Sequence, residues 1–250
     1  MEGVRGSVAV VTGAGQGNGR AIALGLARAG AHVAVADIDG ETARKTADEI
    51  VAAGGHAIAV AVDVADKAAC AAVAETVKAE LGEAAILVNN AGIIRREPFV
   101  AEGFDEGWDR IFRVNVDGSR NMVRAFLPQL TATKGRIVNL GSIMSVIAGP
   151  NISAYAASKG AILQFTRALA AELADVGIRV NAIAPGVIAT PMTETTRANP
   201  TAIGRFMDHT PMKRVGEAEE LVGPVLFLAS KMSSYVTGAL LPVDGGYLVQ

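Results

Sequence analysis

The chain has 250 residues, a net charge of −2 and no basic run, which excludes a surface stripe that tracks nucleic-acid phosphates. Half of the residues are apolar and 19% are charged, so the chain is globular and long enough for one α/β domain with a sizeable core. No apolar stretch reaches membrane-spanning length, the first residues carry no apolar signal core, and the single cysteine, Cys70, excludes an internal disulfide; a cytoplasmic protein away from membranes is expected.

Taken in chain order, apolar β-type runs at 8–11, 32–36, 56–62, 86–89, 136–140, 178–183 and 240–243 alternate with helical patterns at 17–29, 40–53, 67–81, 105–130, 153–175 and 217–230. Near-continuous apolar strands joined by helices predict a doubly wound parallel α/β sheet with helices on both faces, in one domain over residues 1–250. The stretch 190–213 carries Pro191, Pro200 and Pro211 and reads as irregular. It follows the strand 178–183, and ligands of open α/β sheets bind beyond the carboxyl ends of strands, so this stretch is expected to be a substrate lid. An ordinary surface excursion is the alternative. His32, His56 and His209 lie far apart in sequence without metal-ligand spacing, and read as surface or loop-end residues; no metal is expected.

The run Thr12-Gly13-Ala14-Gly15-Gln16-Gly17-Asn18-Gly19 sits between the first strand and the first helix. Gly13 allows a tight turn, Gly17 removes a side chain where backbone approaches a pyrophosphate, and Gly19 lets the helix pack close on the strand. Asp37 ends the second strand, about 20 residues on, where a carboxylate accepts hydrogen bonds from adenosine ribose hydroxyls and repels a 2′-phosphate, so NAD is expected over NADP. A turn role for Asp37 is the alternative; Asp39 is the better opener of the next helix. Asp63-Val64 closes the third strand and suits an adenine amino group, or else a cap, a duty for which Asp66 competes. Asn89-Asn90-Ala91-Gly92 closes the fourth strand with two amides that can tie strand ends together and two small residues that leave room for a ribose, or else forms a simple Asn/Gly turn.

Tyr155 and Lys159 are four apart in a helical pattern and share a face. A phenol is a poor base at neutral pH, and a neighbouring ammonium is expected to lower its pKa, which makes the pair a usable acid/base for a hydroxyl or carbonyl. Ser142 follows the fifth strand, where its hydroxyl can bond a substrate oxygen; elsewhere such a serine is a turn or cap residue. Asn115 lies within the 105–130 pattern although asparagine is a poor helix former; its side chain or a distorted backbone there is expected to hold a water connected to Lys159.

Together with Tyr155-Ala156-Ala157-Ser158-Lys159 and Pro185-Gly186-Val187-Ile188-Ala189-Thr190, these motifs resemble the compact branch of the short-chain dehydrogenase/reductase family over essentially the whole chain. The resemblance implies a single-domain, seven-stranded Rossmann fold, an Asn115–Ser142–Tyr155–Lys159 tetrad, a second role for Lys159 on the nicotinamide ribose, and Pro185, Gly186, Ile188 and Thr190 at the nicotinamide. It also implies a homotetramer, with helices 105–130 and 153–175 between subunits. Asn18 departs from the family, which usually has isoleucine or leucine there; a polar side chain at that place is expected to reach the diphosphate or perturb the turn. The loop Ile94-Arg95-Arg96-Glu97-Pro98-Phe99 is similar to that of members acting on sugar acids, such as gluconate 5-dehydrogenase and 2-dehydro-3-deoxy-gluconate dehydrogenase. Arg95 and Arg96, with Arg214 near Thr210-Pro211, suit a carboxylate, or else lie on a solvated loop or subunit contact. Met144 is a further substrate candidate, although Ile143-Met144-Ser145 does not closely match either enzyme. The expected activity is NAD-dependent interconversion of a secondary alcohol and a ketone, on a sugar acid or polyol. The alternatives are a 3-oxoacyl thioester reductase, which usually uses NADPH and against which Asp37 counts, and a non-catalytic dinucleotide sensor, against which the intact Ser142, Tyr155 and Lys159 count.

Overall fold

The computed structural model describes residues 1–249. Seven strands form one sheet in the order β3-β2-β1-β4-β5-β6-β7, and every neighbouring pair is parallel. The strands are β1 (Val8–Thr12), β2 (His32–Asp37), β3 (His56–Ala61), β4 (Ala84–Asn89), β5 (Arg136–Leu140), β6 (Arg179–Pro185) and β7 (Leu240–Val243). β1 and β4 are buried along their whole length, as strands covered on both faces must be. The strand order reverses between β1 and β4, which opens the crevice where doubly wound sheets take ligands.

Helices α1 (Gly17–Arg28), α2 (Gly40–Ala52) and α3 (Lys67–Leu81) return the chain between β1 and β4. Asp39 and Asp66 accept N–H bonds from the first turns of α2 and α3, the capping duties expected of them. One core layer gathers Ile22 and Leu26 of α1 with Leu221, Val225 and Leu228. The opposite layer gathers Val73 and Val77 of α3 with Met122, Phe126 and Leu130.

Two expectations change. The 105–130 pattern is not one helix but α4 (Phe104–Phe112), a π-helical turn (Arg113–Asp117) and α5 (Gly118–Thr133). The 190–213 stretch is not irregular: after a 3₁₀ turn (Pro191–Thr193) it holds α7 (Glu194–Arg197) and α8 (Pro200–His209). Pro200 occupies the first turn of α8, where its missing N–H is harmless, and Asn199 caps it through the Ala202 amide. His32 and His56, far apart in sequence, are direct register partners on β2 and β3 with ring centroids 4.9 Å apart. They sit at the amino ends of their strands, away from the crevice. The remaining long helix is α6 (Ser153–Glu172), and α9 (Val222–Ala229) precedes β7. Among the described residues no helix is long and apolar enough to cross a membrane.

Candidate active site

The carboxyl ends of the strands surround a cleft of about 380 Å³. Asp37 and Asp63 line one end, and Ser142, Tyr155 and Lys159 line the other; Gly13, Gln16, Gly17, Asn18, Val64, Asn90, Ala91, Gly92, Pro185, Gly186, Ile188 and Thr190 complete the wall. The cofactor candidates read from the sequence thus converge on one cavity, apart from Gly19, which lies beneath it.

Local chemistry explains the convergence. Thr12 ends β1, and its hydroxyl accepts the Asn90 and Ala91 amides at 3.0 Å each. The Asn90 side chain donates to the carbonyls of Thr12 at 2.8 Å and Gly13 at 3.0 Å, which locks the glycine turn to the end of β4. Asn89 reaches the other way and donates to Asn139 of β5 at 2.9 Å. Gly17 has φ +53°, a backbone region that side chains resist. A Cβ at Gly19 would overlap the Gly13 carbonyl and the Asn90 amide, so the close packing of α1 on the turn depends on glycine there. Asp37 accepts the Gly15 amide at 2.8 Å on one oxygen and the Asp39 amide at 3.1 Å on the other, so its carboxylate is fixed in place at the edge of the cleft. The Asp63 carboxylate accepts the Ala65 amide at 2.9 Å.

These residues fit a dinucleotide. The first turn of α1 has no side-chain cap and no acidic residue, so its amides remain available to a phosphate. Asn18 faces the same cavity, and its buried side-chain oxygen has no hydrogen-bond partner.

Ser142 caps the 3₁₀ turn Ile143–Ser145 by accepting the Met144 amide at 3.1 Å, while the Ser145 hydroxyl accepts the Ser142 amide. That bond takes one acceptor site of the Ser142 hydroxyl and leaves its O–H to donate toward Tyr155. Tyr155, half-buried, and Lys159, buried, project from α6. Lys159 Nζ lies 5.7 Å from the centre of the Tyr155 ring and donates to the Leu140 carbonyl at 2.7 Å. The expectation that the ammonium lowers the phenol does not hold. Burial dominates and pushes Tyr155 up, opposed first by a hydrogen bond from Ser142 and then by the charge of Arg96. Burial also drags Lys159 down to about 8.

Asn115 sits in the π-helical turn, fully buried. Its side chain accepts the Ile93 amide at 2.8 Å and donates to the Ile93 carbonyl and the Ser158 hydroxyl, each at 3.0 Å. Its amide group therefore braces the loop after β4 against α6 instead of holding a water.

The four substrate candidates part ways. Arg96 donates to Thr196 of α7 at 2.6 Å and bears on Tyr155. Arg95, the next residue along an extended loop, points elsewhere and pairs with Glu97 at 3.2 Å. Met144 is buried and does not line the cleft. Arg214 is held by both oxygens of Glu220 at 2.7 Å and lines a separate cavity of about 290 Å³. Conversely, the sequence reading missed Arg110, which lines the main cleft with Val114 one helical turn on; their i, i+4 spacing was the available signal.

A family model described as Enoyl-(Acyl carrier protein) reductase matches residues 13–248. The chain belongs to the short-chain dehydrogenase/reductase family. This dehydrogenase is 45% identical over 247 residues to galactitol 2-dehydrogenase (L-tagatose-forming) of Cereibacter sphaeroides, covering 98% of the chain and 96% of that relative. It is 38% identical to 2-dehydro-3-deoxy-D-gluconate 5-dehydrogenase of Dickeya dadantii (strain 3937), covering 99% of the chain and 97% of the relative. The solved structure of a gluconate 5-dehydrogenase from Burkholderia cenocepacia J2315, in complex with NADP and tartrate, superposes with a TM-score of 0.94 at 37% identity, over 98% of this chain and 96% of that one. The chain is accordingly a dinucleotide-dependent oxidoreductase acting between secondary alcohols and ketones.

Proposed function

We propose that this dehydrogenase oxidises a polyol or sugar acid with NAD, with Tyr155 as the acid/base. The observation that carries the reading is one cavity with a fixed carboxylate, Asp37, at one end and Ser142, Tyr155 and Lys159 at the other. A carboxylate with both oxygens anchored has lone pairs left for two ribose hydroxyls and repels a 2′-phosphate, which supports NAD, although the gluconate 5-dehydrogenase structure carries NADP.

Gly13, Gln16, Gly17, Asn18 and Gly19 would form the diphosphate cradle, Asp63 and Val64 the adenine end, and Asn90, Ala91 and Gly92 the ribose floor. Pro185, Gly186, Ile188 and Thr190 would border the nicotinamide, with Lys159 at its ribose. A bound nicotinamide supplies the hydride acceptor in oxidation and the donor in reduction. Ser142 turns its O–H from Tyr155 to the substrate oxygen and orients it. Tyr155 takes the hydroxyl proton in oxidation and returns it in reduction. Asn115 acts through the loop and helix it braces. Of the substrate candidates only Arg96 is retained, as the arginine whose charge acts on Tyr155. The 190–213 segment serves as a lid that keeps water from the reacting carbon. The exposed Phe99, which packs on Phe104 in a row of rings that continues through Trp108 to Phe112, and the exposed Val100 next to it in the chain support burial of this face in a homotetramer. The buried lone Cys70 thiol is compatible with a reducing, cytoplasmic setting.

The test is Tyr155→Phe, assayed with a panel of polyols and aldonates against NAD and NADP. NADH affinity should stay within about twofold while kcat falls by about 10²-fold or more. A variant that keeps parental turnover on the best substrate removes the assignment.

A further inference from the structure

We propose that Tyr247 is a positioning residue: with the turn 244–246 that leads into it, it seats α8 against the back of the cleft wall and fixes where the lid rests. The inference rests on the reading of 190–213 as a lid.

Contacts on both sides of this turn carry it. On the cleft side, the Gly186 amide donates to the Val243 carbonyl at 3.0 Å, and a Cβ at Gly186 would stand 2.9 Å from the Cα of Asp244. Gly186 lines the main cleft, so the turn lies directly behind the cleft wall. On the lid side, the Met212 amide donates to the Gly245 carbonyl at 3.1 Å, and a Cβ at Gly245 would stand 2.9 Å from the methyl carbon of Thr210. Thr210 is buried, and its hydroxyl donates to the Phe206 carbonyl at 2.7 Å, so the residue that meets the turn also holds the last turn of α8. The Tyr247 ring then reaches α8 itself. Its centre lies 5.8 Å from that of Phe206 and 5.9 Å from that of His209, which are three apart and share a helix face.

The seat matters because α8 is lightly packed. Among the described residues of α8 none is buried. Met207, next to Phe206, looks onto the separate cavity of about 290 Å³, whose far wall includes residues 242–246; that side of the helix faces open space. A helix of ten residues is marginal on its own, so contacts with the rest of the chain decide where it lies. The turn, by contrast, is braced. Asp244 accepts the Gly246 amide on one carboxylate oxygen and the Leu248 amide on the other, each at 2.9 Å, and Tyr247 stands between those two residues. At the other end of the lid, α7 has its own fastening, from Arg96 to Thr196 at 2.6 Å. The lid is thus held at two places, and Tyr247 belongs to the one that carries the longer helix.

The experiment combines hydrogen exchange over 194–209 with steady-state kinetics on the best alcohol of the panel. In the parent, bound NADH should slow exchange across this segment, as a closing lid requires. Tyr247→Ala removes two ring contacts and should speed exchange of α8 by about tenfold, with α1 unchanged. It should raise KM for the alcohol severalfold while kcat and NADH affinity stay within about twofold. Tyr247→Phe keeps the ring and should restore both the exchange and the KM. Phe206→Ala removes the lid half of the contact; it should reproduce the rise in KM, and it decides alone if Tyr247→Ala does not fold. Parental exchange over α8 in Tyr247→Ala overturns the proposal, as does a rise in KM that Tyr247→Phe shares. Loss of assembly in Tyr247→Ala, read by light scattering, would put the ring at a subunit contact and overturn it too. If NADH leaves 194–209 unchanged in the parent, the lid reading has failed and the seat with it; if NADH slows exchange there and Tyr247→Ala matches the parent, only the role of Tyr247 has.

Discussion

Lys159 is an ammonium buried against a carbonyl, and its burial has a measurable consequence away from catalysis. Its pKa falls from 10.5 to about 8 because the folded protein strips water from the charge. The folded-state value lies below that of the unfolded chain, so the unfolded chain binds more protons between about pH 8 and 10.5, and stability attributable to this group rises with pH across that window. Below pH 8 both states are protonated and the full penalty stands, about 3 kcal/mol at 1.36 kcal/mol per unit. At about pH 9.5 the remaining penalty is about 1 kcal/mol. Replacing Lys159 by methionine, an unbranched side chain of similar length, removes the charge and its penalty together. The bond to the Leu140 carbonyl is lost as well, but it is lost at both pH values and cancels when the two are compared.

The expected result is that the stability difference, Lys159→Met minus parent, shrinks by about 2 kcal/mol between pH 7 and about pH 9.5. Urea unfolding at matched protein concentration measures it, since any assembly affects both chains alike. Curves that run parallel over this range would show that the lysine is solvated or already neutral when folded, and would refute the reasoning. The same variant should lose turnover. A residue that lowers the stability of the protein holding it, and whose loss abolishes the reaction, is kept for the site and not for the fold.

Asp37→Ser should lower the NAD-to-NADP ratio of kcat/KM by about 10- to 100-fold, as hydrogen bonds to a charged group of about 1.5–3 kcal/mol are lost and the repulsion of a 2′-phosphate goes with them; initial rates with both cofactors measure it, and an unchanged ratio removes the carboxylate argument. Gly19→Ala should destabilise by about 1–3 kcal/mol and weaken NADH binding, because the new methyl group meets the Gly13 carbonyl and the Asn90 amide, and backbone cannot move aside as a flexible side chain can. An unshifted urea midpoint in that variant would mean that α1 does not pack as closely on the turn as the structure has it.

Much of this was legible because it is local. Strand runs such as Val8-Ala9-Val10-Val11, the caps Asp39 and Asp66, and the glycine turn depend on residues near one another in sequence, and spacing reports them. The losses came where distant partners decide. The poor helix propensity of Asn115 points to a distorted backbone within 105–130, and the π-helical turn is there; what propensity does not encode is the side chain's distant partners, Ile93 and Ser158. Pro200 read as a breaker until its place at the first turn of α8 was known. The His32–His56 contact follows from parallel register, which brings residues 24 apart side by side without any local signal.

The acid/base pair shows the limit most sharply. Spacing of four places Tyr155 and Lys159 on one face of α6, and they are there; the sign of their electrical effect does not follow from spacing. A shared face brings a charge near, and burial opposes that charge at the same time. For Tyr155 burial is the larger influence, so the help must come from groups outside α6, from Ser142 after β5 and Arg96 after β4. Arg95 carries the same charge one residue earlier, and its position in an extended loop turns it toward Glu97. The direction of the phenol's shift is therefore set first by its burial and then by groups on other elements, which the spacing of the motif on its own helix does not report.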